Sequence, residues 1–180
     1  MKQIRRILCA ALAFSLLLVA VGCSGSSGKE ETKEKVDFSK LSPSTALPAF
    51  SDEFQAILDN VTISKASINE AMGYVLAAYT TYDETTFCEY MYTQEPLNKL
   101  EDVADAISLA ATEAQDARDP RLALTLSTCA SDLYGAAVKL RGWCTHYAAY
   151  NMNVEDRPSA TDLVAAVNAY ANVFYGQKVL

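Results

Sequence analysis

The chain has a single histidine, His146, among its 180 residues. A carboxylate di-metal site in a helical protein needs two Glu-x-x-His pairs, and covalent c-type haem needs Cys-x-x-Cys-His. Neither motif occurs, and the sequence WCTH at residues 143–146 lacks one cysteine of the haem motif. A Ser/His/Asp triad would depend wholly on His146, and the chain has no Gly-x-Ser-x-Gly motif. We therefore predict a protein that is not an enzyme and has no metal or cofactor, with a non-covalent haem carrier using His146 as the alternative.

Basic side chains are scarce in the larger part of the chain. Residues 51–180 have eight Lys and Arg side chains against 18 Asp and Glu, a net charge near −10. Such a surface repels phosphate backbones and anionic lipid headgroups. The charge therefore argues against nucleic acid as a partner and leaves cations, cationic peptides and neutral ligands possible.

Long apolar runs are also absent. The longest, residues 7–22, is interrupted only by Ser15 and is shorter than the ~20 residues that a transmembrane helix needs. Lys2, Arg5 and Arg6 precede it. A basic start followed by a short apolar stretch is typical of a secretory signal peptide.

The apolar run ends in the sequence AVGC at residues 20–23, which resembles the lipobox of bacterial lipoprotein precursors. The resemblance implies that a diacylglyceryl group is attached to the Cys23 thiol and that the signal peptide, residues 1–22, is removed before Cys23. The mature protein would then be anchored by lipid at the extracytoplasmic face of the cell membrane. If the organism has two membranes, Ser24 resembles the sorting residue of outer-membrane lipoproteins. The alternatives are an uncleaved N-terminal helix and a secretory signal that is cut elsewhere.

Composition changes after Cys23. Residues 24–50 are mainly Ser, Gly, Lys, Glu and Pro, with few apolar side chains. A segment of this kind buries too little apolar surface to fold alone. We therefore predict a flexible tether over residues 23–50 and a folded domain over residues 51–180.

The apolar residues of the predicted domain recur with a helical period. A first helix is predicted to follow Ser51 and run for about 30 residues, and a second begins near Pro96. A third begins at Pro120, and a fourth follows a capping box at Ser159 and ends at Gly176. Four helices joined by short or moderate loops predict an all-α fold, an antiparallel up-down four-helix bundle.

Three cysteines lie within the predicted domain: Cys88, Cys129 and Cys144. Cys129 and Cys144 are on one predicted helix, where a rise of ~1.5 Å per residue separates them by ~22 Å, beyond the ~7 Å limit for a disulfide. In an up-down bundle Cys88 lies near the end of the third helix and therefore near Cys144. We predict that these two are joined and Cys129 is free, with three reduced thiols as the alternative.

Aromatic and acidic residues collect at the same predicted end of the bundle. The candidate binding residues are Tyr82, Tyr90, Tyr92, Trp143, His146 and Tyr147. Aromatic rings surrounded by carboxylates suit a cationic or amphipathic partner, such as an envelope protein. The alternative is that the rings close the end of the bundle as part of its core. Because the tether is expected to enter at the opposite end, this end would face away from the membrane.

Overall fold

The computed structural model describes residues 36–149 and 157–180. This part of the chain forms one short 3₁₀ helix and six α-helices, with no strand. The predicted all-α fold class is confirmed. The signal peptide, Cys23 and the tether up to residue 35 lie outside the described residues.

The helices follow one another along the chain with short connections. A 3₁₀ helix spans Phe38–Lys40, and the α-helices are α1 (Asp52–Leu58), α2 (Lys65–Thr81), α3 (Glu84–Thr93), α4 (Pro96–Asp116), α5 (Pro120–Ala149) and α6 (Ala160–Tyr175).

The prediction of one first helix of about 30 residues is wrong, because the chain breaks between α1 and α2. The break spans residues 59–64, the sequence DNVTIS, whose Asp, Asn, Thr and Ser side chains compete with helical hydrogen bonds. Asn60 shows the competition directly, since its side-chain Nδ2 donates to the Ala56 carbonyl at 2.9 Å. Val61 still packs against the core from the break. Phe54, Val61 and Ile68 are spaced seven residues apart, so this apolar spacing continues through the break between the helices.

The predicted loop after the first helix contains a helix of its own, α3. Asp83 caps it by accepting a hydrogen bond from the Thr86 backbone N–H at 2.8 Å. Glu95 then turns the chain into α4 with a left-handed backbone, φ 54°, directly before Pro96. Cys88, predicted in a loop, therefore lies within a helix.

The remaining helix boundaries follow the capping signals of the sequence. Pro120 is the first residue of α5, and Asp119 before it accepts a hydrogen bond from the Leu122 N–H at 3.0 Å. Ser159 and Asp162 form a complete capping box at the start of α6. Gly176 ends α6 with a φ of 65°, a conformation that glycine adopts without strain.

The core lies among the four long helices. α2 packs on α4, α4 on α5, and α5 on α6, while α3 packs mainly on α5 and α1 packs on α6. Leu126, Leu133 and Leu140 on α5 and Leu100 and Ile107 on α4 are fully buried. These residues are among the apolar residues that recur with a helical period in the sequence.

The compact unit begins at Val36, so the domain boundary expected at residue 51 lies too late. Residues 36–50, which we call the strap, pack on the helices instead of forming part of a flexible tether. The apolar strap residues that contact the core are Phe38, Leu41, Leu47 and Phe50. The average composition of residues 24–50 conceals these four side chains, each of which buries part of its surface.

The strap follows a defined course over the helices. Phe38 packs edge-to-face on Tyr82 and on Tyr90, with ring centroids 5.5 and 5.3 Å apart. Near its other end, the Phe50 ring stacks on that of Tyr175 at 5.5 Å. The chain therefore enters the compact unit beside Tyr82 and Tyr90. The expectation that it enters away from the aromatic residues is wrong, because it took Ser51 as the first folded residue.

Candidate functional site

Four of the six candidate binding residues belong to two ring clusters, and the other two are exposed side chains. The first cluster joins Tyr82 and Tyr90, whose ring centroids lie 5.9 Å apart, to Phe38 of the strap. Tyr90 is only 3% exposed. Burial, with smaller contributions from nearby tyrosines, raises the pKa of the Tyr90 hydroxyl to about 12. Tyr90 therefore serves the packing of the strap and presents little surface to a partner.

The second cluster is built around Trp143 and Tyr147, both buried on α5. Their rings stack with centroids 4.9 Å apart, and Phe87 from α3 packs edge-on against Trp143 at 6.3 Å. The indole N–H of Trp143 donates to the Ser159 carbonyl at 3.1 Å, which ties α5 to the start of α6. These rings close the structure between three helices, as the core alternative predicts.

A basic side chain of the same protein already lies over the face of the Tyr147 ring. The guanidinium carbon of Arg157 lies 5.1 Å from the ring centroid, and its Nη1 donates to the Tyr147 hydroxyl at 3.1 Å. This is the cation–π position that a cationic partner was expected to take. Tyr147 is therefore engaged within the chain.

Tyr92 and His146 are the exposed members of the candidate set. Tyr92 on α3 is 45% exposed, and its hydroxyl is hydrogen-bonded to that of Thr145 on α5 at 2.7 Å. His146 follows Thr145 in the sequence. At this end of the domain, the exposed surface that a partner could contact therefore lies around Tyr92.

Two small cavities beside α3 have acidic side chains in their lining. One, of about 180 Å³, is lined by Asp83 and Glu84, and the other, of about 200 Å³, by Glu89 and Tyr92. Ligand pockets usually measure roughly 300–1,000 Å³. These cavities are therefore small for a drug-sized ligand.

Cys88 and Cys144 meet between α3 and α5. Both are buried, at 4% and 1% exposure, and both are free thiols. Interaction with the neighbouring Cys144 thiol, followed by burial, raises the pKa of the Cys88 thiol. The third thiol, Cys129, is half-buried elsewhere on α5 and is also free. The predicted juxtaposition is present, and the disulfide itself stays a prediction.

A larger opening than these two cavities lies away from the six candidate binding residues. It is a groove of about 670 Å³ between α1, α5 and α6, with Phe54 and Ile57 among its apolar walls and Asp132 and Lys139 among its charged ones. The sequence reasoning missed it. Its sequence signal is a set of small residues, such as Gly135 on α5, that leave space where larger side chains would fill the helix junction.

The described residues contain no group of three His, Cys, Asp or Glu side chains arranged to hold a metal ion. Within the same residues, no helix has the length and apolarity needed to cross a membrane. Comparison of the chain with protein-family models, with curated proteins and with solved structures finds no match.

Proposed function

We propose that the protein is a bacterial lipoprotein, anchored through Cys23 at the extracytoplasmic face of the cell membrane, with a non-enzymatic helical domain. The observation that carries the proposal is the sequence AVGC at residues 20–23, placed directly after a basic start and a short apolar run. Two or more acyl chains on one cysteine would anchor the chain stably, where a single chain binds only marginally.

We also infer that the domain is an antiparallel up-down bundle of α2, α4, α5 and α6. The serial packing of α2 on α4, α4 on α5 and α5 on α6 supports this arrangement. α3 would then close one end, through the contacts of its Phe87 and Tyr92 with α5.

The position of the strap bears on how the anchored domain is oriented. Only about a dozen residues separate Cys23 from Val36. A fully extended chain of that length spans at most ~45 Å, and a flexible one averages ~20 Å. Because the strap enters beside Tyr82 and Tyr90, we propose that the aromatic end lies towards the membrane, the reverse of the orientation expected from the sequence.

The proposed role of the domain is to bind a cationic or amphipathic segment of another envelope protein near Tyr92. Tyr92 is nearly half exposed, and tyrosine is enriched at protein interfaces. Glu89 lies beside it in the lining of the same cavity. The haem alternative gains no support from the cavities at this end, and an absorbance spectrum without a Soret band would dismiss it.

The anchor is tested by two cysteine variants of the full chain. Cys23→Ala should lose both incorporation of labelled fatty acid and the membrane fraction, whereas Cys9→Ala, which removes the other cysteine before the domain, should retain both. A Cys23→Ala variant that stays lipid-labelled would overturn the proposal.

The orientation is tested by fluorescent labels on the lipidated protein in vesicles. Tyr92→Cys and Leu124→Cys provide the two labelling positions, because Leu124 lies ~30 Å along α5 from Thr145. A quencher on the lipid headgroups should reduce the signal at position 92 more than at position 124. Equal quenching, or stronger quenching at 124, would contradict the orientation.

The binding surface is tested by recovery of partners from detergent-solubilised envelope. Tyr92→Ala should lose a partner that the parent chain retains, and Tyr134→Ala, another exposed tyrosine, should keep it. If both variants recover the same proteins as the parent, Tyr92 is not part of a binding surface.

A further inference from the structure

The contact between Cys88 and Cys144 is held in register by its neighbours on both helices. Phe87 precedes Cys88 and Trp143 precedes Cys144, and these two rings pack on each other with centroids 6.3 Å apart. Beyond the pair, the Tyr92 hydroxyl is hydrogen-bonded to that of Thr145 at 2.7 Å. These flanking contacts fix α3 on α5, so the two thiols face each other for a structural reason.

We propose that Cys88 and Cys144 are the site of a structural disulfide that fastens α3 to the last turns of α5. The oxidant is a disulfide compound, either a small molecule such as oxidised glutathione or an extracytoplasmic thiol oxidoreductase. One cysteine thiolate attacks the oxidant's disulfide, forms a mixed disulfide and releases one thiol. The second cysteine then displaces the other half of the oxidant. The two cysteines lose two protons and two electrons, and the oxidant leaves as two thiols.

Oxidation requires α3 to open or the bond to form before folding is complete. In the folded chain both cysteines are buried, and the neighbouring Cys144 thiol, burial and the negative charge of Glu84 together raise the pKa of Cys88. The thiolate is the reactive form, so exchange in the closed structure is slow. The cavity beside Cys88, about 200 Å³, is also small for a glutathione-sized reagent. The same features protect the bond once it has formed, which is the behaviour of a structural disulfide.

Cys129 provides the internal control. It lies on α5 fifteen residues before Cys144, ~22 Å along the helix, and lines the groove between α1, α5 and α6. Burial raises its pKa to about 11. A disulfide with Cys144 is out of reach, and Cys129 should remain a thiol under conditions that oxidise the other two.

The test uses the full chain purified from membranes, refolded with oxidised glutathione, digested without reduction and mapped by mass spectrometry. The expected product is one cross-linked peptide pair containing Cys88 and Cys144, present also in Cys129→Ser and absent from Cys88→Ser. If Cys88→Ser does not fold, Cys144→Ala takes its place as the variant without the bond. The parent chain is then also melted with and without reductant, and the oxidised form should melt at a higher temperature. Three free thiols after refolding, or a bond to Cys129, would overturn the proposal.

The occurrence of the bond in cells rests on the proposed extracytoplasmic location, and the two can fail separately. If thiols are trapped during cell lysis and the bond is already present, both proposals are supported. If the purified chain forms the bond but the trapped cellular protein has three free thiols, the location fails and the pairing stands. If lipid-anchored protein forms no bond in either experiment, the pairing fails and the location stands.

Discussion

The strap crosses α2 at Gly73, where there is no room for a side chain. A Cβ atom added at Gly73 would lie 2.6 Å from the Ser44 carbonyl oxygen and 3.0 Å from the Pro43 Cβ. The Ser44 backbone N–H also donates to the Gly73 carbonyl at 2.9 Å. The Gly73→Ala substitution therefore forces the strap off the helix, whereas at Gly135 on α5 an added Cβ meets no atom within 4 Å.

Both substitutions should gain the same stability from the higher helix propensity of alanine. Only Gly73→Ala also brings a side chain against the strap. Alanine in a helix interior is favoured over glycine by ~1 kcal/mol, so Gly135→Ala should raise the free energy of unfolding by about that amount. At Gly73 the same gain is opposed by overpacking of ~1–3 kcal/mol and by the loss of a hydrogen bond worth ~1 kcal/mol. Gly73→Ala should therefore lower the free energy of unfolding by ~1–3 kcal/mol.

Urea unfolding followed by circular dichroism measures both changes in the same buffer. Hydrogen exchange at the Ser44 amide adds a local readout and should speed up in Gly73→Ala but not in Gly135→Ala. If both variants gain stability equally and the Ser44 amide exchanges at its original rate, the strap does not lie on α2 and the reasoning is refuted.

Three further outcomes are expected from buried polar groups. Asn168 is 4% exposed and makes three hydrogen bonds to the backbone of residues 179–180 at 2.8–3.1 Å. Asn168→Ala should therefore lower the free energy of unfolding, measured in urea, by ~2 kcal/mol. The exposed control Asn172→Ala should change it little. The Tyr170 hydroxyl is buried without a hydrogen-bond partner among the described residues. Tyr170→Phe should therefore leave the free energy of unfolding unchanged or raise it by up to ~1 kcal/mol. A clear loss of stability in this variant would contradict the reasoning. The pKa of the Tyr90 hydroxyl is about 12 in the folded chain and near 10 in the unfolded chain. The stability that comes from keeping this hydroxyl neutral is therefore complete below pH 10 and is lost as the pH rises to 12. Tyr90→Phe should make unfolding less dependent on pH in that window, and an unchanged slope would argue against the burial of Tyr90.

Helix ends were predictable where the sequence contains a capping signal. Pro120, Ser159 and Gly176 mark boundaries that the structure retains, because each satisfies or replaces exposed backbone groups locally. The break after α1 was not predictable from apolar spacing, since Val61 packs against the core from a non-helical backbone. Long-range packing allows the same seven-residue pattern to persist across two helices.

The strap was missed because its stability comes from contacts with residues distant in sequence. Phe38 and Phe50 are isolated apolar residues in a polar segment, and nothing local indicates that Tyr82, Tyr90 and Tyr175 receive them. Composition averaged over a segment predicts whether it can fold alone, and the strap does not fold alone.

The candidate site was predicted in part. The order of the predicted helices placed Cys88 near Cys144, and α3, which contains Cys88, packs on α5. The burial of Trp143 and the occupation of the Tyr147 ring by Arg157 depend on how three segments meet, which spacing along the helix does not report. Which of the candidate side chains are exposed is known only from the structure.

The central claim, anchoring through Cys23, is tested most directly by the mass of the N-terminal peptide of the mature protein. The protein is extracted from membranes with detergent, digested and examined by tandem mass spectrometry. We expect a peptide that begins at Cys23 and has a diacylglyceryl group on its thiol. A mature chain that begins at any other residue, or an unmodified Cys23, would contradict the account.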